Sequence, residues 1–381
     1  MNIMFLIFSF NVGGIEHLLI DMTNELKKRS INVYVCIINE DYDEELLSQL
    51  ASDAKIIKLG RHAGSKCVLK YMLQLAKIVK RTNIDILHCQ GINCVIFSFF
   101  AKILCPDISI INTVHDVGNY PSYSDFKIGI QNIILDKTIA ISKAVEQEIL
   151  CRKQQPEKVV TIYNAISLDK FRLSEKVFDN SRIVLGNVAR FFPQKKGQDV
   201  LVEAVLRIKQ KGKYKVLCKF AGDVFKGQEK DYIKLVQQID SYALQNEIEF
   251  CGGISDVSEF LGSIDVFVLP SRYEGFGIAL IEALAEGIPV VASDIDGPKE
   301  IFELALKDGI NIGVMAQCGD AVDFSEKILN CIMKYSEYDK RQIREFTKRH
   351  FSIEHMIDEH LKVYNSLLNT KAKCKVMGVN G

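Results

Sequence analysis

Two glutamates eight positions apart are the residues of this sequence best placed to bind one ligand together. They are Glu274 and Glu282, within the segment 269–291. An apolar stretch ends at the start of this segment, a turn containing Gly275 and Gly277 follows, and an apolar helical pattern begins after it. Eight positions are a little over two turns of helix at about 3.6 residues each. The pattern predicts Glu282 inside the helix and Glu274 in the preceding loop, both facing a ligand across the helix N-terminus.

The first loop of the chain, residues 9–14, is a second candidate. It ends in Gly13 and Gly14, between an apolar strand pattern and a helical one. Two residues without side chains let backbone N–H groups approach a phosphate or a developing negative charge at the start of a helix. The loop lacks the GxGxxG spacing, which disfavours NAD. A tight strand-to-helix connection would explain the same glycines.

A histidine lies at a comparable place in the pattern. His115 follows the apolar stretch 110–114, which predicts a buried strand. Ligands of open parallel sheets bind beyond the carboxyl ends of the strands, so His115 is a candidate site residue. The alternative is a structural histidine whose hydrogen bonds are satisfied.

The elements that position these residues alternate between short β-rich stretches and longer helical ones, as in a parallel sheet covered by helices on both faces. The first series predicts strands at 2–10, 32–38, 84–88, 108–114 and 137–141, and helices at 14–29, 43–51, 66–81, 93–104 and 142–154. The second predicts strands at 182–188, 214–221, 247–250, 265–269, 289–292 and 311–314. We expect an α/β protein with two doubly wound, Rossmann-like domains facing each other across a ligand-binding cleft.

Domain boundaries follow from the same pattern. We expect an N-terminal domain at 1–166, an interdomain linker without periodicity at 167–181 and a C-terminal domain at 182–350. An amphipathic helix at 351–370 should pack back on the N-terminal domain, and residues 371–381 should form a frayed tail.

Composition excludes several classes of protein. The chain has 381 residues, with 48 Lys plus Arg against 48 Asp plus Glu, so no global basic field favours nucleic acid. Its 11 cysteines include no CxxC pair, which favours a reducing cytoplasm over a disulfide framework. The longest internal apolar run, 95–105, is interrupted by Lys102 and is shorter than the roughly 20 residues of a membrane span. We therefore expect a cytoplasmic protein that is not integral to a membrane.

These motifs together resemble the retaining glycosyltransferases of family four, which have the two-domain GT-B fold. The segment with Glu274 and Glu282 is similar to their E-x7-E signature, Gly13 and Gly14 fit their first glycine loop, and His115 fits their histidine on the catalytic face. Further stretches that match in order and spacing are 141–142, 162–166, 187–190, 196–197 and 221–223. The resemblance covers nearly the whole chain and concerns fold and reaction class, not the identity of the sugars.

The resemblance implies that Arg190 and Lys196 bind the donor diphosphate. A planar guanidinium and a compact ammonium can together stabilise the charge that a nucleoside diphosphate gains as it leaves. Solvated surface cations are the alternative, more so for Lys196 because Lys195 is adjacent. His115 would orient the donor sugar or stabilise positive charge at the anomeric carbon through its backbone carbonyl.

The same resemblance implies that Glu282 accepts hydrogen bonds from both ribose hydroxyls and that Glu274 contacts hydroxyls of the transferred sugar. Backbone N–H groups after the turn would meet donor hydroxyls or phosphate at the helix N-terminus. The implied catalytic set is His115, Arg190, Lys196 and Glu274, and the implied substrate-binding set is Gly13, Gly14, Gly275, Phe276, Gly277, Ile278 and Glu282.

The implied activity is transfer of a hexose-type sugar, with retention, from a nucleoside diphosphate sugar to a hydroxyl of a glycan or lipid-linked acceptor. The N-terminal domain would bind the acceptor and the C-terminal domain the donor, with a UDP-sugar favoured over a GDP-sugar. The resemblance implies a role in surface polysaccharide or glycoconjugate assembly. The alternatives are a GT-B sugar-nucleotide epimerase or phosphorylase and a catalytically silent sugar-nucleotide-binding subunit.

We expect no cofactor and no metal. The acidic pairs at 41–43 and 294–296 have D-x-D spacing, but neither follows the first nucleotide-binding unit as the metal-dependent glycosyltransferase fold requires. His88, Cys89 and Cys94 lie in an apolar setting, where buried free cysteines are common.

A basic stripe suggests a partner of another kind. Lys66, Lys70, Lys77 and Arg81 recur at steps of four, seven and four, on one face of a predicted helix, with Leu69, Met72, Leu73, Ala76 and Val79 expected mostly toward the core. Such a stripe could contact anionic lipid reversibly at the cytoplasmic face of a membrane. A solvated helix face is the alternative.

Overall fold

The computed structural model describes residues 1–62, 64–115, 117–118, 120–152, 154–225 and 227–376. The chain divides into two compact units: unit 1 contains Met1–Ala165 and the described residues from Ile353 on, and unit 2 contains Ile166–Ser352. Each unit is built on its own parallel sheet.

Unit 1 has seven parallel strands in the order β3-β2-β1-β4-β5-β6-β7. They are β1 (Asn2–Ile7), β2 (Asn32–Asn39), β3 (Lys55–Arg61), β4 (Ile86–Gln90), β5 (Ser109–Val114), β6 (Lys137–Ala140) and β7 (Val159–Thr161). From β1 the chain first adds β2 and β3 on one side of the sheet, and it then returns to add β4 on the other side of β1. The carboxyl ends of β1 and β4 therefore border the crevice where such sheets bind ligands.

Seven helices connect these strands: α1 (Gly14–Lys28), α2 (Glu44–Ser48), α3 (Val68–Arg81), α4 (Ile92–Phe97), α5 (Phe99–Leu104), α6 (Asp125–Ile134) and α7 (Lys143–Cys151). Alternate residues of β1 enter separate cores. Ile3 and Phe5 pack with α1 and α2, whereas Met4 and Leu6 pack with α3, α4 and α5. The sheet is therefore buried on both faces, which explains why its central strands are apolar throughout.

Unit 2 has six parallel strands in the order β10-β9-β8-β11-β12-β13. They are β8 (Ile183–Val188), β9 (Val216–Ala221), β10 (Ile248–Gly252), β11 (Val266–Leu269), β12 (Val290–Ser293) and β13 (Gly313–Ala316). Its helices are α8 (Pro193–Lys196), α9 (Gln198–Lys211), α10 (Glu229–Ser241), α11 (Val257–Gly262), α12 (Ile278–Ala285), α13 (Asp296–Lys307), α14 (Ala321–Met333) and α15 (Lys340–Phe351). The crevice of this sheet lies between β8 and β11.

The last helix, α16 (Ile353–Val376), belongs to unit 1. Its residues Ile353, Met356, Ile357 and Tyr364 are buried in the core that also contains Phe5. Burial of each such side chain contributes about 1.5–3 kcal/mol to folding. The apolar face of this C-terminal helix therefore packs in the core of unit 1.

Segment 167–181, which we expected to be a linker, is part of unit 2. The backbone N–H of Arg172 donates to Glu286 Oε1 (2.9 Å), and Lys340 Nζ donates to the backbone oxygen of Ser174 (3.2 Å). The sequence did not predict this because hydrogen bonds between side chains and an irregular backbone leave no periodicity.

The C-terminal helix continues beyond residue 370, where we expected a tail. Lys371 Nζ donates to the backbone oxygen of Ile108 (2.7 Å) and lies 3.3 Å from Asp136 Oδ1. These contacts explain why the helix reaches Val376. The expected tail from residue 377 on lies outside the described residues.

The pattern also missed two edge strands and one break. β3 is largely exposed, so it lacks a continuous apolar pattern, and β7 has only three residues. The helix expected at 93–104 is two helices that meet at Ser98, whose hydroxyl donates to the backbone oxygen of Val95. None of the helices within the described ranges is long and apolar enough to cross a membrane.

Candidate active site

In unit 2, the loop after β8 carries Arg190 over an aromatic ring. The guanidinium carbon lies 4.8 Å from the centroid of the Phe225 ring, which itself stacks on the Phe192 ring at 5.7 Å with an interplanar angle of 3°. Gln198 Nε2 donates to the backbone oxygen of Arg190 (3.1 Å). An exposed cation–π contact contributes about 0.5–1 kcal/mol. It supports the guanidinium from one side while the side chain stays exposed to solvent.

Lys196 ends the single helical turn α8, immediately before Gly197. Gly197 has φ +67°, and a Cβ there would lie 1.9 Å from the backbone oxygen of Pro270. The position therefore requires glycine both for its backbone conformation and for the close approach of the loop after β11. Because Gly197 allows this close approach, the preceding residue, Lys196, lies beside the loop after β11.

The loop after β11 is also tied to α8 by hydrogen bonds. The backbone N–H of Arg272 donates to the backbone oxygen of Lys195 (2.9 Å), and that of Tyr273 to the same atom (3.3 Å). The Arg272 guanidinium binds both carboxylate oxygens of Asp199 (2.8 and 2.7 Å) and the backbone oxygen of Pro193 (2.7 Å). Hydrogen bonding to Asp199 raises the pKa of Arg272, so this fork stays charged.

These ties bring two predicted catalytic residues into contact. Lys196 Nζ lies 2.7 Å from Glu274 Oε2, and both side chains are largely buried, with 23% and 15% exposed. Arg272, which fastens the two loops, was missed although it stands two residues before Glu274. Its bidentate pairing with Asp199, 73 positions earlier, leaves no local signal in the sequence.

The turn after Glu274 leads into α12 as the sequence predicts. Gly277 caps the helix with φ +106°, and Glu282 lies half-buried in the second turn. Phe276 is 2% exposed, and its backbone is packed so closely that a Cβ on Gly297 would lie 2.7 Å from Phe276 Cα. Phe276 is thus a core residue through its side chain, and Gly275 and Ile278 flank it in the partly exposed turn.

Four buried side-chain oxygens at this edge of the sheet have no hydrogen-bond partner among the described residues. They are Asn187 Oδ1, Gln198 Oε1, Ser271 Oγ and Ser293 Oγ. Each residue is at most 1% exposed. Because buried polar atoms are nearly always hydrogen-bonded, these oxygens mark places where a bound molecule or water would supply the partner.

Comparison with known proteins matches both parts of the chain to glycosyltransferase sequences. The sequence model of the glycosyl transferases group 1 matches residues 169–349, and that of glycosyltransferase family 4 matches residues 12–170. Together the two models match residues 12–349, and over that range the chain is similar to these glycosyltransferases. The group 1 match covers most of unit 2 and the family 4 match most of the N-terminal part of unit 1.

Curated relatives of this glycosyltransferase include two bacterial enzymes. The N-acetyl-alpha-D-glucosaminyl L-malate synthase of Bacillus anthracis is 23% identical over 321 residues, which cover 80% of each chain. The N,N'-diacetylbacillosaminyl-diphospho-undecaprenol alpha-1,3-N-acetylgalactosaminyltransferase of Campylobacter jejuni is 25% identical, covering 83% of this chain and 86% of the relative. The crystal structure of Anabaena Alr3699/HepE in complex with UDP and glucose superposes with a TM-score of 0.80 at 21% identity, covering 96% and 100% of the two chains. The last comparison shows the fold.

The remaining predicted residues of the glycosyltransferase lie in unit 1. Gly13 precedes α1 in extended conformation, Gly14 is the first residue of α1, and the space that a Cβ on Gly13 would take is held by the Glu16 carboxylate, 2.5 Å away. The Glu16 carboxylate thus lies beside Gly13 at the start of α1. His115 follows β5 directly, and its Nε2 lies 2.7 Å from Gln90 Oε1 at the end of β4. Residue 116, which follows His115, lies outside the described residues.

The acidic pairs with D-x-D spacing have structural partners. Asp43 caps α2 by accepting from the N–H groups of Glu45 (2.8 Å) and Leu46 (3.1 Å), and Asp294 accepts from the N–H of Cys318 (2.8 Å). Within the described ranges no group of three or more His, Cys, Asp or Glu side chains could hold a metal ion.

The histidine of the apolar cluster is likewise bonded. His88 Nδ1 lies 2.7 Å from the Tyr364 hydroxyl and Nε2 lies 2.6 Å from Thr113 Oγ1. Burial lowers the pKa of His88 well below its usual value, so the ring is neutral.

Proposed function

We propose that this protein transfers a hexose-type sugar from a nucleoside diphosphate sugar to a hydroxyl of a glycan or lipid-linked acceptor, with retention of anomeric configuration. The observation that carries the proposal is the contact between Lys196 and Glu274 beside the N-terminus of α12. In the proposed complex, the Lys196 ammonium group would bind phosphate and the Glu274 carboxylate would bind sugar hydroxyls, next to the bond that joins the sugar to the diphosphate.

In the proposed complex, Arg190 and Lys196 bind the diphosphate and stabilise the charge that develops as it leaves. Glu274 accepts hydrogen bonds from the transferred sugar, and Glu282 accepts them from the ribose. The backbone N–H groups at the start of α12, from Gly275 to Ile278, provide donors for phosphate or hydroxyl oxygens. The four buried side-chain oxygens without partners provide further hydrogen-bonding atoms at the carboxyl edge of the unit 2 sheet.

Retention requires that the acceptor attack from the face that the diphosphate leaves. The oxygen of the departing phosphate takes the proton of the acceptor hydroxyl as the new C–O bond forms and the C–O bond to phosphate breaks. His115 would stabilise positive charge at the anomeric carbon through its backbone carbonyl or orient the sugar. No separate nucleophile is needed for this course. The α-linkages named for the B. anthracis and C. jejuni relatives support retention from an α-linked donor.

We propose a UDP-sugar as donor, in agreement with the UDP bound to Anabaena HepE. The cations supply the charge that a metal would otherwise provide, so the reaction needs neither metal nor cofactor. The lipid-linked substrate named for the C. jejuni relative supports a lipid-linked acceptor and a role in surface polysaccharide or glycoconjugate assembly.

A membrane-facing surface on unit 1 would suit such an acceptor. Within the described residues, the cations of the stripe, Lys66, Lys70, Lys77 and Arg81, have no acidic partner at salt-bridge distance. The sequence from 66 to 106 holds six Lys or Arg and a single acid, Asp85. We propose that this face contacts anionic lipid reversibly.

Exposed apolar side chains accompany these cations. Met72, Ala76 and Val79 of α3 are buried as expected, but Leu69 and Leu73 are 64% and 42% exposed, which corrects their expected place in the core. A depression of about 720 Å³ runs along the same helix and is lined by Lys70, Leu73, Gln74, Lys77, Ile78 and Arg81. Mixed basic and apolar surface is typical of helices that lie in a membrane interface.

A panel of nucleotide sugars tests the proposed reaction. Each would be incubated with the protein without acceptor and in the presence of a chelator, and slow hydrolysis would be followed by release of the nucleoside diphosphate. We expect one UDP-sugar to be hydrolysed fastest. Absence of hydrolysis and of any thermal shift with every UDP- and GDP-sugar would contradict the proposal.

A further inference from the structure

The carboxyl ends of β4 and β5 carry two rungs of paired polar side chains on one face of the unit 1 sheet. Strand register places Gln90 opposite Thr113. One rung joins His88 to Thr113 (2.6 Å), and the rung above it joins Gln90 to His115 (2.7 Å). In each strand the two residues are two positions apart, so their side chains leave the same face. The upper rung contains the histidine proposed to act on the sugar.

The upper rung decides which nitrogen of His115 carries the proton. Gln90 Oε1 can only accept a hydrogen bond, and His115 Nε2 lies 2.7 Å from it, so Nε2 is protonated. In the neutral ring Nδ1 is then the nitrogen with the lone pair. This hydrogen bond favours one tautomer and one orientation of the His115 ring, and with it the position of the His115 backbone carbonyl after β5.

The Gln90 side chain has no second anchor at its amide nitrogen among the described residues. Its Nε2 is buried and has no hydrogen-bond partner among the described residues. No neighbouring acceptor therefore holds the amide in place, and the hydrogen bond from His115 is its one strong anchor in the described part of the chain. Turning the amide over would present its N–H groups to the ring and move the ring proton to Nδ1.

We propose that Gln90 is a positioning residue, which holds His115 in one orientation with Nε2 protonated. This inference rests on the proposed function because His115 acts on the donor sugar there. Gln90 itself touches no reacting atom. Its substitution should slow the chemical step, since small displacements of an acting group can cost up to about a hundredfold in rate, while leaving donor binding by unit 2 intact.

The test compares Gln90→Leu, Gln90→Glu and Thr113→Val in the full chain. Leucine removes the acceptor, glutamate keeps an oxygen at the same reach, and valine removes the lower rung as a matched control. ¹⁵N NMR would report the His115 tautomer, with His115→Asn used to assign its signal among the seven histidines. Donor hydrolysis would report kcat and KM.

We expect Gln90→Leu to lose the defined Nε2-protonated state and to lower kcat at least tenfold with KM for the donor within threefold of wild type. Gln90→Glu should keep the Nε2 proton and recover most of kcat. Thr113→Val should lower thermal stability without changing the His115 signal. Wild-type tautomer and kcat in Gln90→Leu, or the same tautomer change in Thr113→Val, would overturn the proposal.

The NMR measurement does not depend on catalysis, so it separates the two hypotheses. If wild type hydrolyses no nucleotide sugar, the proposed function fails while the tautomer comparison still applies. If wild type is active and Gln90→Leu behaves like wild type in both measurements, only the positioning role fails.

Discussion

Lys196 Nζ lies 2.7 Å from Glu274 Oε2, so the cation proposed to bind diphosphate is paired with the carboxylate proposed to bind the sugar. The two residues are 78 positions apart and are held by the contacts of α8 with the loop after β11. A diphosphate must compete with Glu274 for this ammonium group. In the proposed complex, donor binding would therefore exchange the partner of Lys196, from a carboxylate to a phosphate oxygen.

Replacing Glu274 by Gln should separate binding from turnover. The neutral amide no longer competes for Lys196, so we expect UDP to bind as tightly as to wild type or more tightly, while hydrolysis of the UDP-sugar falls about tenfold or more. Calorimetric titration with UDP and a turnover assay measure the two effects. Weaker UDP binding together with unchanged turnover would contradict the exchange.

The bidentate pair of Arg272 with Asp199 should affect donor binding, because it holds the loop after β11. Arg272→Ala leaves Asp199 without its bidentate partner and removes the side-chain ties between α8 and the loop after β11, so the donor KM should rise several-fold with a smaller loss of kcat. Asp199→Asn, which weakens the same fork from the other side, should give the same pattern. Steady-state kinetics would decide, and a donor KM equal to wild type in both variants would show that the fork does not position Lys196.

Two buried histidines should make stability depend on pH. Burial lowers the pKa of His360 to about 4 and that of His88 well below its usual value. In the unfolded chain a histidine has a pKa of about 6.5, so the unfolded state binds more protons below that pH. The free energy of unfolding should be highest above pH 6.5 and should fall as the pH drops toward 4.

Urea unfolding at pH 7.5 and 5.0 would measure this dependence. His360→Gln should lose less stability between the two pH values than wild type, by an amount on the order of 1 kcal/mol or more. An equal loss in His360→Gln and wild type would show that His360 titrates normally in the folded protein.

The basic stripe should bind anionic vesicles. Each cation near such a surface contributes about 1 kcal/mol, less at high salt. Replacing Lys66, Lys70, Lys77 and Arg81 by Glu should abolish sedimentation with anionic vesicles. The charge-matched control replaces four exposed lysines of unit 2, Lys215, Lys230, Lys334 and Lys348, by Glu.

The control variant should sediment with anionic vesicles like wild type, and none of the three proteins should sediment with neutral vesicles. Equal sedimentation of the wild type and the stripe variant would leave α3 as a solvated surface.

The sequence predicted the architecture because its strands are buried on both faces. Continuous apolar stretches such as β1 and β5 differ clearly from helical periodicity, and all six strands of unit 2 lie where the pattern predicted them. β3 was not predicted, because an edge strand such as Lys55–Arg61 needs little apolar surface. Leu69 and Leu73 were misplaced because periodicity alone does not reveal how wide the buried face of α3 is.

The candidate site was predictable where a local motif exists. Gly277 and Glu282 lie on one short segment, where a glycine-containing turn followed by an apolar helical pattern predicted the turn and the helix. Arg272 and Gln90 were not predicted because each is defined by a partner from another strand or helix, 73 and 25 positions away. Side-chain pairs across a parallel sheet depend on the strand register, which cannot be derived from a single sequence.

We propose that Arg190 and Lys196 bind the diphosphate of a nucleotide-sugar donor without a metal. Calorimetric titration of UDP in the presence of a chelator, into wild type and the Arg190→Ala, Lys196→Ala double variant, tests it most directly. We expect UDP to bind wild type under these conditions and to bind the double variant at least a hundredfold more weakly, because two charge-assisted contacts are lost. Equal affinities, or wild-type binding that disappears with the chelator, would contradict it.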